Sequence, residues 1–295
     1  MKFGLRLPGA GPYASPHAIV AFAQKAEELG FDSLWMTDHI ALPVDIKTHY
    51  PYRPDGKFFW SPETPYFDSI MTLAWASAAT ERINVGTSVL IAGWHHPVNT
   101  AKALATLDVL NGGRTICAVG TGWMKEQFEI LGAPFESRGS VTTEWLRLVR
   151  HLWTEDVIDF HGEHFQFSGF KFYPKPARKP SIPLWCGGKS TGVLKRVAAA
   201  ADGWHPLYID PDEMETKLEE LKGYLAEHGR TLSDIDLSAR PVSQATLDKA
   251  TIDRYAGLGV KMLVADTSFE HDSLQGVLNE VERLADQLMP FADQG

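Results

Sequence analysis

Eight short β-rich runs recur along the chain, most of them followed by a segment of helical period, which is the mark of βα units built around a parallel sheet. They read as Lys2 to Leu7, Phe31 to Met36, Ile83 to Leu90, Thr115 to Val119, Ile182 to Cys186, Gly203 to Leu207, Ile235 to Pro241 and Met262 to Ala265. An open doubly wound sheet shares this alternation, but the count of eight favours a closed barrel. The chain has 295 residues, and α/β barrels of about 250 residues fold as one unit. The expectation is an α/β fold, a TIM-type (β/α)8 barrel forming a single domain over residues 1–295.

Local signals place the helices. Ser15 before Pro16 opens the first and Gly30 stops it. A second carries Ile70, Leu73, Ala74 and Ser77, and a third starts at His96-Pro97 with Ala101, Leu104, Leu107 and Leu110 as its apolar face. Thr191 to Ala201 and Leu274 to Leu288 also read as helices. Two stretches read as insertions at the C-terminal face of the barrel, one at about 40–65 and one at about 154–181. Residues 156 to 167 alternate as a hairpin turning at His161-Gly162, ahead of Pro174, Pro176, Pro180 and Pro183. Insertions of this length inside compact domains tend to carry function.

Composition narrows the partners. Hydrophobic residues make up 44% and charged residues 22%, as in a folded chain with a sizeable core. The 28 basic and 37 acidic residues give a net charge of −9 with no long run of either sign, so nucleic acid is not expected. The N-terminus reads as a strand and no stretch reaches eighteen apolar residues, so the expectation is a cytoplasmic protein without a membrane partner. Cys117 and Cys186 lie in apolar runs and read as structural thiols. No HxH follows the first strand and no HExxH or GxSxG occurs, which argues against a bound metal and against a serine nucleophile. His95 and His96 are adjacent and would point to opposite sides of a strand.

In a barrel, chemistry belongs where the strands end and the βα loops converge. Four strand ends carry unusual residues. Thr37-Asp38-His39 offers a titratable imidazole and a carboxylate able to set its tautomer, although a helix cap with a satisfied histidine fits equally well. Thr87-Ser88-Val89 is small enough to admit a planar ligand that Trp94 and the histidines could wall, although from these residues alone a strand end and a helix start with Pro97 at its first position is the favoured reading. Gly120-Thr121-Gly122-Trp123 permits close backbone approach to a ligand, although an ordinary loop is an open alternative, since the GxGxxG spacing of a dinucleotide site is absent. Gly187-Gly188-Lys189-Ser190 enters a helix N-terminus and suits a phosphate, although it lacks P-loop spacing.

The succession FDSLWMTDH, INVGTSVLIAG with HHPV, ATLDVLNGGR, AVGTGWMKEQFEILG, LWCGGKS and AADGW resembles the bacterial luciferase-like monooxygenases and their deazaflavin-dependent relatives over about residues 2 to 206. The resemblance implies a (β/α)8 barrel with a flavin or deazaflavin ring at its C-terminal face. It implies that His39 and Asp38 stand beside the reactive face of the ring, with His39 the best catalytic candidate. Ser88-Val89 resembles the family's non-prolyl cis peptide. Gly120, Thr121, Gly122 and Glu126 match positions beside the ring, and Gly187, Gly188, Lys189 and Ser190 match the cradle of the cofactor phosphate; Thr87 is grouped with these contacts. Trp60, Trp94, His96 and Trp123 are candidate walls of the substrate pocket. Sugar-phosphate dehydrogenases of the family carry a glutamate where this chain has Trp123, which argues against glucose 6-phosphate as substrate.

The wording GTGWMKEQFEILG and LWCGGKS looks more like the branch dependent on coenzyme F420, which implies hydride transfer between the deazaflavin and a small organic substrate. The alternative is an FMN-dependent monooxygenase fed by a separate flavin reductase. A further alternative is a catalytically silent barrel that binds flavin. Lys47, Arg53 and Lys57 are candidate contacts for the acidic tail of F420, against the plainer reading of solvated charges. Relatives are commonly dimers, so the resemblance also implies a homodimer.

Overall fold

The computed structural model describes residues 1–242, 247–268, 271 and 273–293. Its elements run β1 (Lys2–Arg6), α1 (Pro16–Glu28), β2 (Ser33–Met36), α2 (Ser69–Ala78), β3 (Asn84–Ile91), α3 (Pro97–Leu110), β4 (Thr115–Gly120), α4 (Lys125–Ile130) and α5 (Arg138–Thr154). The hairpin β5 (Ile158–His161) and β6 (Gln166–Phe170) follows. The chain continues through β7 (Leu184–Gly187), α6 (Thr191–Ala200), β8 (Gly203–His205), α7 (Pro211–Glu227), β9 (Asp236–Ala239), α8 (Lys249–Gly257), β10 (Met262–Ala265) and α9 (Leu274–Leu288).

Strands β1, β2, β3, β4, β7, β8, β9 and β10 pair in parallel in chain order, and β10 pairs back onto β1, closing a barrel of TIM type. Each barrel strand is followed by at least one helix, so the helices form the outer layer. Strands with helices outside and a packed barrel inside are buried on both faces, which is why β4, TICAVG, is buried at every position. The β5–β6 hairpin stands apart as its own two-stranded sheet within the second expected insertion.

The caps act as read. Ser15 accepts a hydrogen bond from the Ala18 N–H with Pro16 in the first turn of α1, and Gly30 takes φ +88°, a conformation costly for a side chain. The face assigned to α3 needs one correction: Leu110 is exposed, and Thr100, Ala105 and Asp108 are buried with Ala101, Leu104 and Leu107. The irregular stretch after β4 resolves into α4 and α5. Val141, Trp145, Leu148, Val149 and Leu152 recur there at helical spacing and are buried. Among the described residues no helix is long and apolar enough to cross a membrane.

Two tryptophans fill the barrel. Trp35 of β2 and Trp185 of β7 stack at 5.6 Å between centroids, and the His205 ring lies 4.9 Å from Trp35. Glycines on the adjacent strands make room: a Cβ on Gly4 would sit 2.5 Å from Trp35 Nε1, and one on Gly203 would sit 2.4 Å from Trp185 Cδ1. Cys117 and Cys186 are buried free thiols, and burial pushes both up to about 12, as expected of structural cysteines.

Candidate functional site

A cavity of about 380 Å³ opens at the C-terminal ends of the strands, within the range of small-molecule sites. Its lining gathers residues from seven strand ends and from the 40–65 loop. Of the sequence candidates, Asp38, His39, Trp60, Ser88, Val89, Trp94, Gly120, Thr121, Gly122, Trp123, Gly187, Gly188, Lys189 and Ser190 all border it. Three are placed elsewhere, and one of the pairings inferred within the site is different.

His39 follows β2 and is held by Gln127, whose side-chain amide nitrogen donates to His39 Nδ1 at 2.8 Å. The Gln127 oxygen is fixed by the Ile40 N–H, which fits the amide orientation and makes Nδ1 the acceptor. The imidazole therefore carries its proton on Nε2. Burial lowers the His39 pKa to about 4, so the ring is neutral near pH 7 even with Asp38 nearby. Phe58, Tyr66 and Trp94 surround it at 5.0, 5.1 and 5.8 Å between centroids.

Asp38 does not orient His39. Its carboxylate accepts the Ile91 N–H at 2.9 Å and lies 2.8 Å from His95 Nε2, tying the end of β2 to the end of β3. Burial opposes charge on His95, yet the Asp38 carboxylate outweighs it and raises the His95 pKa. The partner of His39 came instead from the helix after β4.

The peptide between Ser88 and Val89 is cis. The register of β3 on β4 shifts there, and Val89 turns its methyls into the site. Glycines meet them: a Cβ on Gly120 would lie 2.6 Å from Val89 Cγ2, and one on Gly187 would lie 2.4 Å from Val89 Cγ1. Ser88 Oγ is 2.7 Å from His205 Nε2, and His205 Nδ1 is 2.7 Å from Ser238 Oγ. Burial, reinforced by Arg240, lowers the His205 pKa to about 3.

Gly188 takes φ +100°, and the backbone then enters α6 with Ser190 as a cap whose side chain makes no capping hydrogen bond. Ser190 and Val193 border the cavity at the start of α6, and a helix N-terminus is a place that can receive an anion. Lys189 borders the cavity and is also tied to the neighbouring elements. Its ammonium pairs with Glu213 at 2.6 Å and donates to the Tyr208 carbonyl at 3.0 Å.

Thr87 is buried behind the strand, donating to the Ala118 carbonyl at 2.8 Å, and does not border the cavity. Glu126 also lies off the cavity. Its carboxylate accepts from the Lys47 N–H, the Thr48 N–H and the Thr48 hydroxyl at 2.8 to 2.9 Å, so it anchors the 40–65 loop. His96 is exposed at the start of α3, 6.0 Å from the Phe167 ring, and is not a wall of the pocket. Of the candidate rim cations, Lys47 pairs with Asp45 and Arg53 with Asp55.

Sequence reasoning passed over Arg6, Tyr50, Tyr52, Tyr66, Tyr208 and Arg240, all of which border the cavity. Arg6 and Arg240 share the Asp266 carboxylate across three strand ends. The available signal was a charged residue at the end of an apolar strand, as in KFGLR, DLSAR and MLVAD.

Residues 1–288 match the family model described as luciferase-like monooxygenase. The chain belongs to this family. Among luciferase-like relatives, an uncharacterised protein of Mycobacterium tuberculosis is 32% identical over 294 residues, covering 98% of this chain and 99% of its own length. An F420-dependent glucose-6-phosphate dehydrogenase of Amycolatopsis mediterranei is 28% identical over 286 residues, 92% of this chain and 78% of that protein. Solved structures share the fold. An F420-dependent secondary alcohol dehydrogenase in complex with an F420-acetone adduct superposes with a TM-score of 0.76 at 17% identity, covering 99% of both chains. The monooxygenase RslO1 from Streptomyces bottropensis gives 0.76 at 18% identity, covering 98% of this chain and 99% of that one.

Proposed function

We propose that this luciferase-like protein is an F420-dependent oxidoreductase that transfers a hydride between the deazaflavin and a small organic substrate. The observation that carries the reading is the convergence on one cavity of His39, the cis Ser88-Val89 peptide and two bare-backbone glycine segments, Gly120–Gly122 and Gly187–Gly188. F420-dependent relatives in sequence support it at the level of the family.

The residues present fit a ring with a phosphate-bearing chain. Gly120 and Gly187 make room for the Val89 methyls that border the cavity, and the N-terminus of α6, with Ser190 and Val193 on the lining, suits the phosphate. When bound, the deazaflavin supplies the hydride carrier. His39, neutral and protonated on Nε2, offers a fixed hydrogen-bond donor to an oxygen of the substrate. The aromatic side chains Tyr50, Phe58, Trp60 and Trp123 exclude water and select an apolar or planar substrate. Trp123 stands 4.9 Å from the Tyr50 ring and 5.3 Å from the Phe58 ring, which argues further for a hydrophobic wall where sugar-phosphate dehydrogenases carry a proton donor.

An FMN-dependent monooxygenase is the second reading. Its support is that a phosphate cradle accepts either cofactor and that two of the candidate tail contacts, Lys47 and Arg53, are already paired with aspartates. The silent flavin-binding barrel is disfavoured by the cavity beside His39. Titrating the protein with oxidised F420 and with FMN, followed by quenching of its nine tryptophans, decides among them. Tight F420 binding with weak FMN binding supports the deazaflavin reading, the reverse moves the protein to the monooxygenases, and binding of neither removes the cofactor assignment.

A further inference from the structure

Ser88 and Val89 lie within β3 but pair in neither of its ladders. The pairing with β2 ends at Thr87, and the pairing with β4 breaks after Thr87 and resumes at Leu90. Both residues border the cavity. What the neighbouring strands do not hold there is held from across the barrel. His205 ends β8, and β4 and β7 stand between β8 and β3 in the closed sheet. Its Nε2 nevertheless lies 2.7 Å from Ser88 Oγ. Arg240, just past β9, donates from Nη1 to the carbonyl and to the hydroxyl of Ser88, both at 3.1 Å.

The protons along this chain have one arrangement that leaves none over. Ser238 Oγ lies 3.3 Å from the Trp204 carbonyl and 2.7 Å from His205 Nδ1. A carbonyl only accepts, so the Ser238 proton goes to Trp204 and the Ser238 oxygen receives Nδ1–H. Nε2 is then the bare nitrogen and takes the Ser88 O–H, while the Ser88 oxygen receives Arg240. The opposite tautomer would leave the Ser88 proton without an acceptor among the described residues. The ring is fully buried and stacks on Trp35, with 4.9 Å between centroids and 13° between planes. An apolar ring would stack there without needing any partner. The stacking therefore does not call for a histidine, whereas the hydrogen bonds do, and a buried polar chain with every member satisfied rigidifies what it joins.

We propose that His205 is a positioning residue: through the Ser88 hydroxyl it sets where Val89 stands in the cavity, and so how closely a flat ligand can lie against that wall. This rests on reading the cavity as the cofactor and substrate site. Val89 is closely confined on its other sides, because Cβ atoms on Gly120 and Gly187 would lie 2.6 Å and 2.4 Å from its methyls. A small shift of Ser88 is thus passed on to the cavity wall, and the setting comes from a ring that does not itself border the cavity.

The test uses the purified full chain in three variants. Ser238→Ala removes the acceptor of Nδ1–H, His205→Phe keeps a ring and removes both hydrogen bonds, and His205→Gln keeps one donor and one acceptor. Two readouts need no cofactor. Nitrogen NMR of histidine-labelled wild type should show His205 protonated on Nδ1 and bare on Nε2. Methyl NMR signals of Val89 should shift in Ser238→Ala and His205→Phe and return toward wild type in His205→Gln. Whichever of F420 and FMN binds the wild type should bind the first two variants about tenfold more weakly, with affinity largely restored in His205→Gln. Val89 signals that stay in place in folded Ser238→Ala and His205→Phe overturn the assignment, as does a proton on Nε2. So does an unchanged affinity in a variant whose Val89 has moved, which would leave His205 a packing residue. Should His205→Phe not fold, Ser238→Ala and His205→Gln decide. If neither F420 nor FMN binds the wild type, the functional reading falls and the Val89 signals still decide this one.

Discussion

The side-chain amide of Gln127 holds Nδ1 of His39 at 2.8 Å and thereby decides which ring nitrogen carries the proton. Gln127→Glu replaces a donor by an acceptor that favours the imidazolium. The His39 pKa should then rise by more than one unit, read by NMR titration of the ring, and turnover should fall about tenfold or more with a shifted pH profile. A pKa that stays near 4 would show that Gln127 positions nothing.

Removing the imidazole separates catalysis from packing. His39→Ala should lower kcat by about a hundredfold or more while the melting temperature moves by only a few degrees. A normal rate with a large stability loss would make His39 a core residue.

Glu126 gives a prediction of the opposite kind. Because its carboxylate ties down Lys47 and Thr48, Glu126→Ala should raise KM about tenfold with little change in kcat and should expose the 40–65 loop to limited proteolysis. Lost cofactor affinity with an unchanged cleavage pattern would restore Glu126 to a direct contact.

Gly187→Ala tests the cradle. The new Cβ would lie 2.4 Å from Val89 Cγ1 and 3.4 Å from the His205 carbonyl, so Val89 must move. Cofactor affinity should fall about tenfold and stability by about 1–3 kcal/mol. Unchanged affinity in the fluorescence titration would free this edge of any ligand.

Acid should destabilise the fold through its neutral histidines. His39 and His205 have folded values of about 4 and about 3, whereas in the unfolded chain both protonate near the ordinary value of about 6.5. As pH falls below about 6.5 the unfolded chain binds the extra protons first, so this contribution, full above about 6.5, is lost toward pH 4 and below. His95 has the opposite sign, since its raised pKa favours folding below about 6.5 and that benefit fades at higher pH. Two groups outweigh one. Calorimetric melting temperatures should climb from pH 4 to about 6.5, and His205→Asn should flatten the slope; a flat wild-type profile would contradict the assignment.

The barrel was legible because its signals are local. Strand β10 at Met262–Ala265 and helix α9 at Leu274–Leu288 match the sequence reading at both ends, since period and caps lie within a few residues of each other. The span of α7 was passed over although Met214, Leu218, Leu221 and Leu225 keep helical spacing and are buried. Within the site, His39 and the glycines stood out because they follow apolar strands directly. Gln127 faces His39 across 88 residues and Arg6 meets Asp266 across 260, the first contact created by the pairing of β2, β3 and β4 and the second by closure of β10 onto β1. The partners of Asp38 and Glu126 and the outward place of His96 were hidden for the same reason: a residue's place along the chain fixes its neighbourhood, and packing then selects its partner.

The stacked indoles of Trp35 and Trp185 turn the barrel into a stoppered vessel. With the axis packed, as in barrels of this type, ligands reach the cavity from the C-terminal side of the strands, where the 40–65 loop contributes to its lining. Two ligands sharing such a sac must queue. The deeper one is trapped until the shallower departs, so product-inhibition kinetics should show compulsory-order behaviour, with the first molecule in being the last one out.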